Sequence, residues 1–290
     1  MNSGSRNTTY ARLKATLRTA ALALVHSNLL ISTAATSVAV STMVLAGLAV
    51  EPLPLFIVFA VTLFVYSFNR LTDLAEDERN VPDRAAFISR YGRVLFVLGG
   101  GLYLLAVVVA VFQGVRGAPA LSIPFVVAVL YSVVGLKRVL LVKNLLVGLS
   151  WGLIPLGVGV YYDVLLTTEI LVLFGFTTAM LTIAAVVFDI KDIPGDRAEG
   201  IRTVPVVFGP RRTRQFAVAA TLLVGICVGM LVFVDLVSPL FSVLLPFVAY
   251  VAGYTVFAIP ERTALFYGGV IDSEHILLAF ALLAIELLTA

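Results

Sequence analysis

The chain predicts an all-α polytopic membrane protein with nine transmembrane helices. Composition, segment length and charge placement each point there. Of 290 residues, 60% are hydrophobic and 13% are charged, against roughly 25% charged in an average soluble domain. A chain of that composition cannot bury its apolar side chains in one soluble core, so a bilayer is its natural solvent. The apolar residues form solid runs of about 17–25 residues, the length that crosses a hydrocarbon core as a helix. They lack the alternation that a membrane barrel requires.

The runs follow in order: Asn28–Val50, Leu53–Phe68, Val94–Val111, Ala118–Val134, Val139–Tyr161, Ile170–Phe188, Phe216–Val234, Pro239–Ala258 and Ile276–Thr289. The second and ninth are short, and the first could begin nearer Ala20. No small-residue cleavage site follows a short apolar core there, so the first run reads as a span rather than a signal peptide. Nine spans put the N-terminus and the loops after spans two, four, six and eight on one side. Of the 20 Lys and Arg residues, all but Arg116 then fall on that side. The positive-inside rule makes it cytoplasmic. The expectation is one domain over residues 1–290 in the cell membrane, with residues 1–19 a cytoplasmic tail. A formal charge of +3 points to no nucleic-acid partner. The lone Cys227 rules out an internal disulfide and a Cys-based metal site.

Acids are costly at membrane depth, so their positions are informative. After span two, Asn69, Asp73 and Asp77 recur at i, i+4 and i+8. On a helix they stack on one face over two turns, an unfavourable array unless a cation compensates it. After span six come Asp189 and Asp192, three apart, and then Asp196. Pro194 and Gly195 are expected to break the helix and leave Asp196 on a turn that swings to the same point. Carboxylate and amide oxygens without His or Cys suit Mg²⁺, which is commonly shared between one or two carboxylates and substrate phosphates. Two such clusters on one face suggest a metal-bridged diphosphate. Acid-rich span ends also occur as solvated caps. The repetition of the pattern, flanked each time by Arg or Lys, favours the metal reading. Glu76, Glu78, Asp83 and Glu199 point off the inferred faces.

A third stretch on the same side runs from Tyr131 through Lys137 and Arg138 to Lys143 and Asn144. Lys137 could stabilise a departing diphosphate, and the Tyr131 ring has a face suited to a carbocation. Arg138 and Lys143 suit topology anchoring as well as substrate contact. Trp151, Tyr161 and Tyr162 are expected in the aromatic belt of the opposite interface.

At these three stretches the chain resembles the UbiA superfamily of intramembrane prenyltransferases. Asn69-Arg70-x-x-Asp73-x-x-x-Asp77 matches the family's NDxxDxxxD motif, with Arg70 in place of the second acid. Asp189-x-x-Asp192-x-x-Gly195-Asp196 matches its DxxDxxGD motif. Gly200-Ile201-Arg202-Thr203-Val204-Pro205 and Gly209 follow its continuation, and Tyr131 to Asn144 resembles its tyrosine–lysine motif. The Tyr131–Lys137 gap is slightly longer than usual. His26 and Asn28 lie where family members place polar residues that face the pocket, and they suit interfacial capping equally well.

The resemblance implies nine helices bundled around a central cavity and Mg²⁺-dependent transfer from a polyprenyl diphosphate to a lipophilic acceptor. It implies one Mg²⁺ on Asn69, Asp73 and Asp77 and another on Asp189, Asp192 and Asp196. Lys137 and Tyr131 would serve catalysis beside the aspartates. Arg70, Asn28, Arg138, Asn144, Lys191 and Arg202 would contact substrate. Quinone precursors, glycerol lipids and carotenoids are acceptors within the family, and the second-motif continuation leans to the archaeal lipid and quinone groups. No general base stands out. The rival class is an Asp-lined transporter of a cation or lipid, whose acids would sit near mid-membrane on broken helices.

Overall fold

A computed structural model describes residues 3–126 and 140–289. Among them the chain is helical and has no strand. Helix α1 (Ser3–His26) meets α2 (Leu29–Leu45) at Asn28, whose left-handed backbone (φ 64°) turns the chain. Residues 12–26 of α1 and α2 meet at 64°. The stretch expected as a tail is therefore helical from Ser3. Helices α3 (Pro52–Thr72), α4 (Leu74–Asn80) and α5 (Pro82–Phe112) follow. Pro opens α3 and α5, where its missing N–H costs nothing. Beyond a 3₁₀ turn at Ala118–Leu121 come α6 (Val142–Tyr161), α7 (Thr168–Ala198) and α8 (Val204–Phe233). The last bundle members are α9 (Leu244–Phe257), reached through a 3₁₀ turn at Pro239–Val243, a π-helical turn at Phe266–Ile271, and α10 (Glu274–Thr289).

Six of the described helical segments are long and apolar enough to cross a bilayer, or seven if the bent α1–α2 pair is one span. The difference from nine lies in three places. The helix of the first predicted span has 17 residues and starts at the Asn28 bend, that of the ninth has 16, and part of the fourth predicted span lies outside the described residues.

Helices α6 and α7 approach closely through glycines. A Cβ on Gly148 would lie 2.1 Å from Thr182 Oγ1 and 2.4 Å from the Thr178 carbonyl, and one on Gly152 2.2 Å from Thr178 Oγ1. Small residues permit such backbone contact where lipid offers no hydrophobic drive for association. A buried core runs through Ala34, Met180, Val187, Phe241, Leu244 and Leu282. The outside of the bundle is apolar as well: Phe112 and Phe233 are each 87% exposed. That inversion belongs to a protein solvated by lipid. The fold is a multi-pass membrane bundle.

Candidate active site

Helix α3 carries the first motif to its end at Thr72, and the chain re-enters helix at Leu74. The unbroken two-turn helix expected for Asn69, Asp73 and Asp77 is thus interrupted at Asp73 (φ −99°, ψ 13°). The Asp73 N–H still donates to the Asn69 carbonyl, and the Asp77 N–H to that of Asp73, both at 2.9 Å. The backbone bonds thus keep helical spacing across the break, and Asp73 and Asp77 line one cavity. Asp77 is buried, and Arg84 of α5 grips both its oxygens, with Nε donating to Oδ2 at 2.8 Å and Nη2 donating to Oδ1. Arg70 Nη1 lies 3.9 Å from the same carboxylate. Asn69 Oδ1 and Arg70 Nε are buried with no hydrogen-bond partner among the described residues.

The second motif departs from expectation in its backbone. Helix α7 continues through Pro194 to Ala198, so Asp196 sits on the helix rather than on a free turn. Proline disrupts a helix through the lost bond to the residue four back and through ring clash. Exposed Pro194 lies four residues from the helix end. There little chain remains to be redirected. Asp189 accepts from Lys143 Nζ at 2.8 Å and from Asn144 Nδ2 at 2.9 Å. Both oxygens of Asp192 accept from Lys191 Nζ at 2.9 Å. Asp196 accepts from Thr203 Oγ1 at 3.0 Å and is buried.

These groups meet in a cavity of about 360 Å³. Asp73, Asp77, Asp189 and Asp192 line it, opposite the cations of Arg70, Arg84, Lys143 and Lys191. Asn28 and His26 line it too. Asn28 donates weakly to Ser67 Oγ at 3.4 Å, and His26 Nε2 is buried without a hydrogen-bond partner among the described residues. Asn69 and Asp196 are not among the lining residues. Asn144 orients Asp189 from behind, and Arg202 is exposed away from the cavity wall. Tyr131, Lys137 and Arg138 lie outside the described residues.

A second cavity of about 400 Å³ adjoins the first. Its wall is almost wholly apolar, with Val58, Val61, Val65 and Ile154 among its residues. Tyr66 and Trp151 line both cavities, and Trp151 Nε1 donates to Tyr66 Oη at 3.2 Å. Trp151 is therefore no belt residue. It is buried and stacks on His275, with ring centroids 5.9 Å apart. The tyrosine pair does lie at the other end, where Tyr161 donates to Glu51 at 2.7 Å and Tyr162 to the Ala49 carbonyl at 2.6 Å.

Lys143, which the sequence suited to anchoring and to substrate contact alike, lines the cavity. Sequence reasoning missed Arg84, Asp272, Glu274 and His275 as lining groups. The last three follow span eight with no motif spacing to mark them.

Among the described residues no three acidic, His or Cys side chains converge as a closed metal cage. Asp77, Asp189 and Asp192 are each neutralised by an Arg or Lys instead. The carboxylate oxygens of Asp73, Asp77, Asp189 and Asp192 in one cavity nonetheless fit a Mg²⁺ that takes part of its coordination from substrate phosphate.

Comparison with known proteins agrees with this architecture. Residues 16–265 match the UbiA prenyltransferase family. A digeranylgeranylglyceryl phosphate synthase of Natronomonas pharaonis is 31% identical over 182 residues, covering 60% of this chain and 64% of the relative. The match thus spans less than two thirds of that relative's length. A UbiA homolog from Aeropyrum pernix K1 superposes with a TM-score of 0.65 at 16% identity, covering 89% of this chain and 98% of the other. One from Archaeoglobus fulgidus, bound to GPP and Mg²⁺, gives 0.63 at 15% identity, covering 91% and 99%. At such identity the two structures speak for the fold alone. The family match takes in both aspartate motifs and all but the last of the bundle helices, and on it the chain belongs to the UbiA prenyltransferase family.

Proposed function

We propose that the protein transfers a prenyl group from a polyprenyl diphosphate to a glycerol-lipid alcohol within the cell membrane, its polar cavity facing the cytoplasm. One observation carries this reading: an acid- and cation-lined cavity opens beside an apolar one, and Tyr66 and Trp151 belong to both. A diphosphate ester of an isoprenoid has that bipolar character.

In this reading the prenyl chain occupies the apolar cavity and the diphosphate the polar one. Asp73, Asp77, Asp189 and Asp192, with Asn69, would hold Mg²⁺, which when bound neutralises the diphosphate and makes it a better leaving group. Arg70, Lys143 and Lys191 take up the remaining negative charge as the carbon–oxygen bond lengthens. Arg70 replaces the usual acid of the motif, and its unpaired Nε supports a phosphate contact in place of a metal contact. The Tyr66 and Trp151 rings face the carbon where positive charge develops, a use suited to their π surfaces. Packed helices keep water from that carbon.

The acceptor follows from the chemistry of a relative's name. A digeranylgeranylglyceryl phosphate carries two geranylgeranyl chains. A transferase that adds one chain at a time needs the mono-geranylgeranyl lipid, whose free glycerol hydroxyl is the nucleophile. Purified protein with Mg²⁺, radiolabelled geranylgeranyl diphosphate and geranylgeranylglyceryl phosphate should release diphosphate and form the dialkyl lipid. Asp73→Ala and Asp192→Ala should each lower the rate by about 10²-fold or more, as loss of an electrostatic stabiliser does. Wild-type rates in both variants, or no diphosphate release by the unaltered protein, would rule the reading out.

A further inference from the structure

The transfer just described leaves a proton to be placed, and the inference here rests on that reading. The acceptor's oxygen uses a lone pair to form a bond to the allylic carbon. The carbon–oxygen bond to diphosphate breaks, and its electron pair leaves with the diphosphate. The acceptor's hydroxyl proton must then pass to a base that lines the cavity.

Six carboxyl groups line the polar cavity. Asp77 has both oxygens engaged by Arg84, Asp189 by Lys143 and Asn144, and Asp192 by Lys191. Glu274 accepts from the buried Tyr254 hydroxyl at 2.7 Å. Asp73 has a contact of its own. Asp272 differs from all of these. It is half-buried against the cavity and forms no hydrogen bond or ion pair among the described residues. It directly follows the π-helical turn at Phe266–Ile271, a local geometry frequent at functional sites. Its neighbour His275 is buried and lines the same cavity, with Nε2 3.6 Å from Glu274 Oε1 and without a hydrogen-bond partner among the described residues. This wall therefore presents polar capacity that the protein itself leaves unused, and it adjoins the Trp151 ring shared by the two cavities.

We infer that Asp272 is the general base that takes the acceptor's hydroxyl proton, the lipid alcohol docking along the wall formed by Asp272 and His275.

The electrostatic setting supports this. Burial pushes the Asp272 carboxyl up to about 7, with Arg70, Lys191 and Arg84 opposing the shift from across the cavity. Glu274 on the following helix and Tyr254 on α9 are the other titratable groups that feel it. A base is most effective when its pKa lies near the working pH. The carboxylate is the competent form, so transfer should rise as pH climbs through about 7 and level off above.

Asp272→Asn, Asp272→Glu and the unaltered protein would be assayed for transfer from geranylgeranyl diphosphate to geranylgeranylglyceryl phosphate across pH. For Asp272→Asn the expected result is a kcat lower by about 10²-fold, the usual contribution of a positioned base. The KM for the diphosphate should hold, and the rise near neutral pH should vanish. Asp272→Glu should regain part of the rate and the rise. An Asn variant that keeps the wild-type rate and profile overturns the inference. So does one that loses Mg²⁺-dependent diphosphate binding along with rate, since Asp272 would then help build the donor site. If Asp272→Asn does not fold, Asp272→Ala with added formate decides. Restored transfer supports the base, and none overturns it. An unaltered protein that transfers nothing sinks the parent reading as well, which separates that failure from this one.

Discussion

Arg84 and Asp77 show how single side chains hold the site before substrate arrives. Asp77 is 4% exposed, and without the guanidinium that grips it only Arg70, at 3.9 Å, would face its charge. Removing one member of a buried pair typically costs about 3–5 kcal/mol, because the other is left charged and unpaired. Arg84→Ala should therefore lower the unfolding free energy by about 3 kcal/mol at neutral pH, read from denaturation in detergent. A loss under about 1 kcal/mol would mean that water or another cation already serves Asp77. The aspartates of both motifs were legible because their spacing is local and their company in an apolar chain is conspicuous. Their partners were not. Arg84 figured only in the charge count and Lys143 suited anchoring as well as substrate contact, since nothing in a linear pattern says which acid a cation will turn toward. Asp272, Glu274 and His275 reach the cavity only because α10 folds back beside α2 and α9. No spacing between residues 77 and 272 encodes that approach.

At the scale of elements, the helix pair α6–α7 sets the second motif in position. Lys143 and Asn144 on α6 meet Asp189 on α7, and one to two turns deeper Gly148 lets the backbones touch. A methyl at Gly148 meets the Thr178 carbonyl at 2.4 Å, which is backbone and cannot rotate aside. Gly148→Ala should cost about 1–3 kcal/mol, as overpacking does. It should also slow transfer by spreading the Lys143–Asp189 contact, which thermal denaturation and the prenyl-transfer assay would test together. Gly175→Ala on α7 is the control, because a Cβ there meets nothing within 4 Å and the residue lines neither cavity. It should leave both readouts unchanged. Equal effects from the two substitutions would refute the packing argument. Helix identity was readable at this scale, because long apolar runs have one stable form in lipid. Breaks were less so. Pro194 leaves α7 unbroken, whereas Asn28 and Asp73 interrupt helices without proline or glycine.

Across the whole molecule, the motif acids of the polar cavity come from two parts of the chain far apart in sequence, α3–α4 and α7, and Asp77, Asp189 and Asp192 are each neutralised by the protein's own cation. A divalent ion alone must compete with Arg84, Lys143 and Lys191, so free Mg²⁺ should bind weakly. A diphosphate changes the balance. Its negative charge gives those cations a second partner, releases carboxylate oxygens toward the metal, and supplies ligands of its own, consistent with Mg²⁺ sharing coordination with phosphates. Metal and diphosphate should therefore stabilise the fold together far more than separately. Inorganic diphosphate with Mg²⁺ at about 100 times its dissociation constant should raise the unfolding free energy by about 2.7 kcal/mol. Mg²⁺ alone at the same concentration should raise it by less than about 0.5 kcal/mol, the range of nonspecific effects. Thermal denaturation in detergent with each component alone and then with both would measure this. Asp73→Ala and Asp192→Ala, from the two separate parts, should each abolish the joint effect, since the bridge needs both sides. Full stabilisation by Mg²⁺ alone would instead require a metal cage already assembled in the free protein.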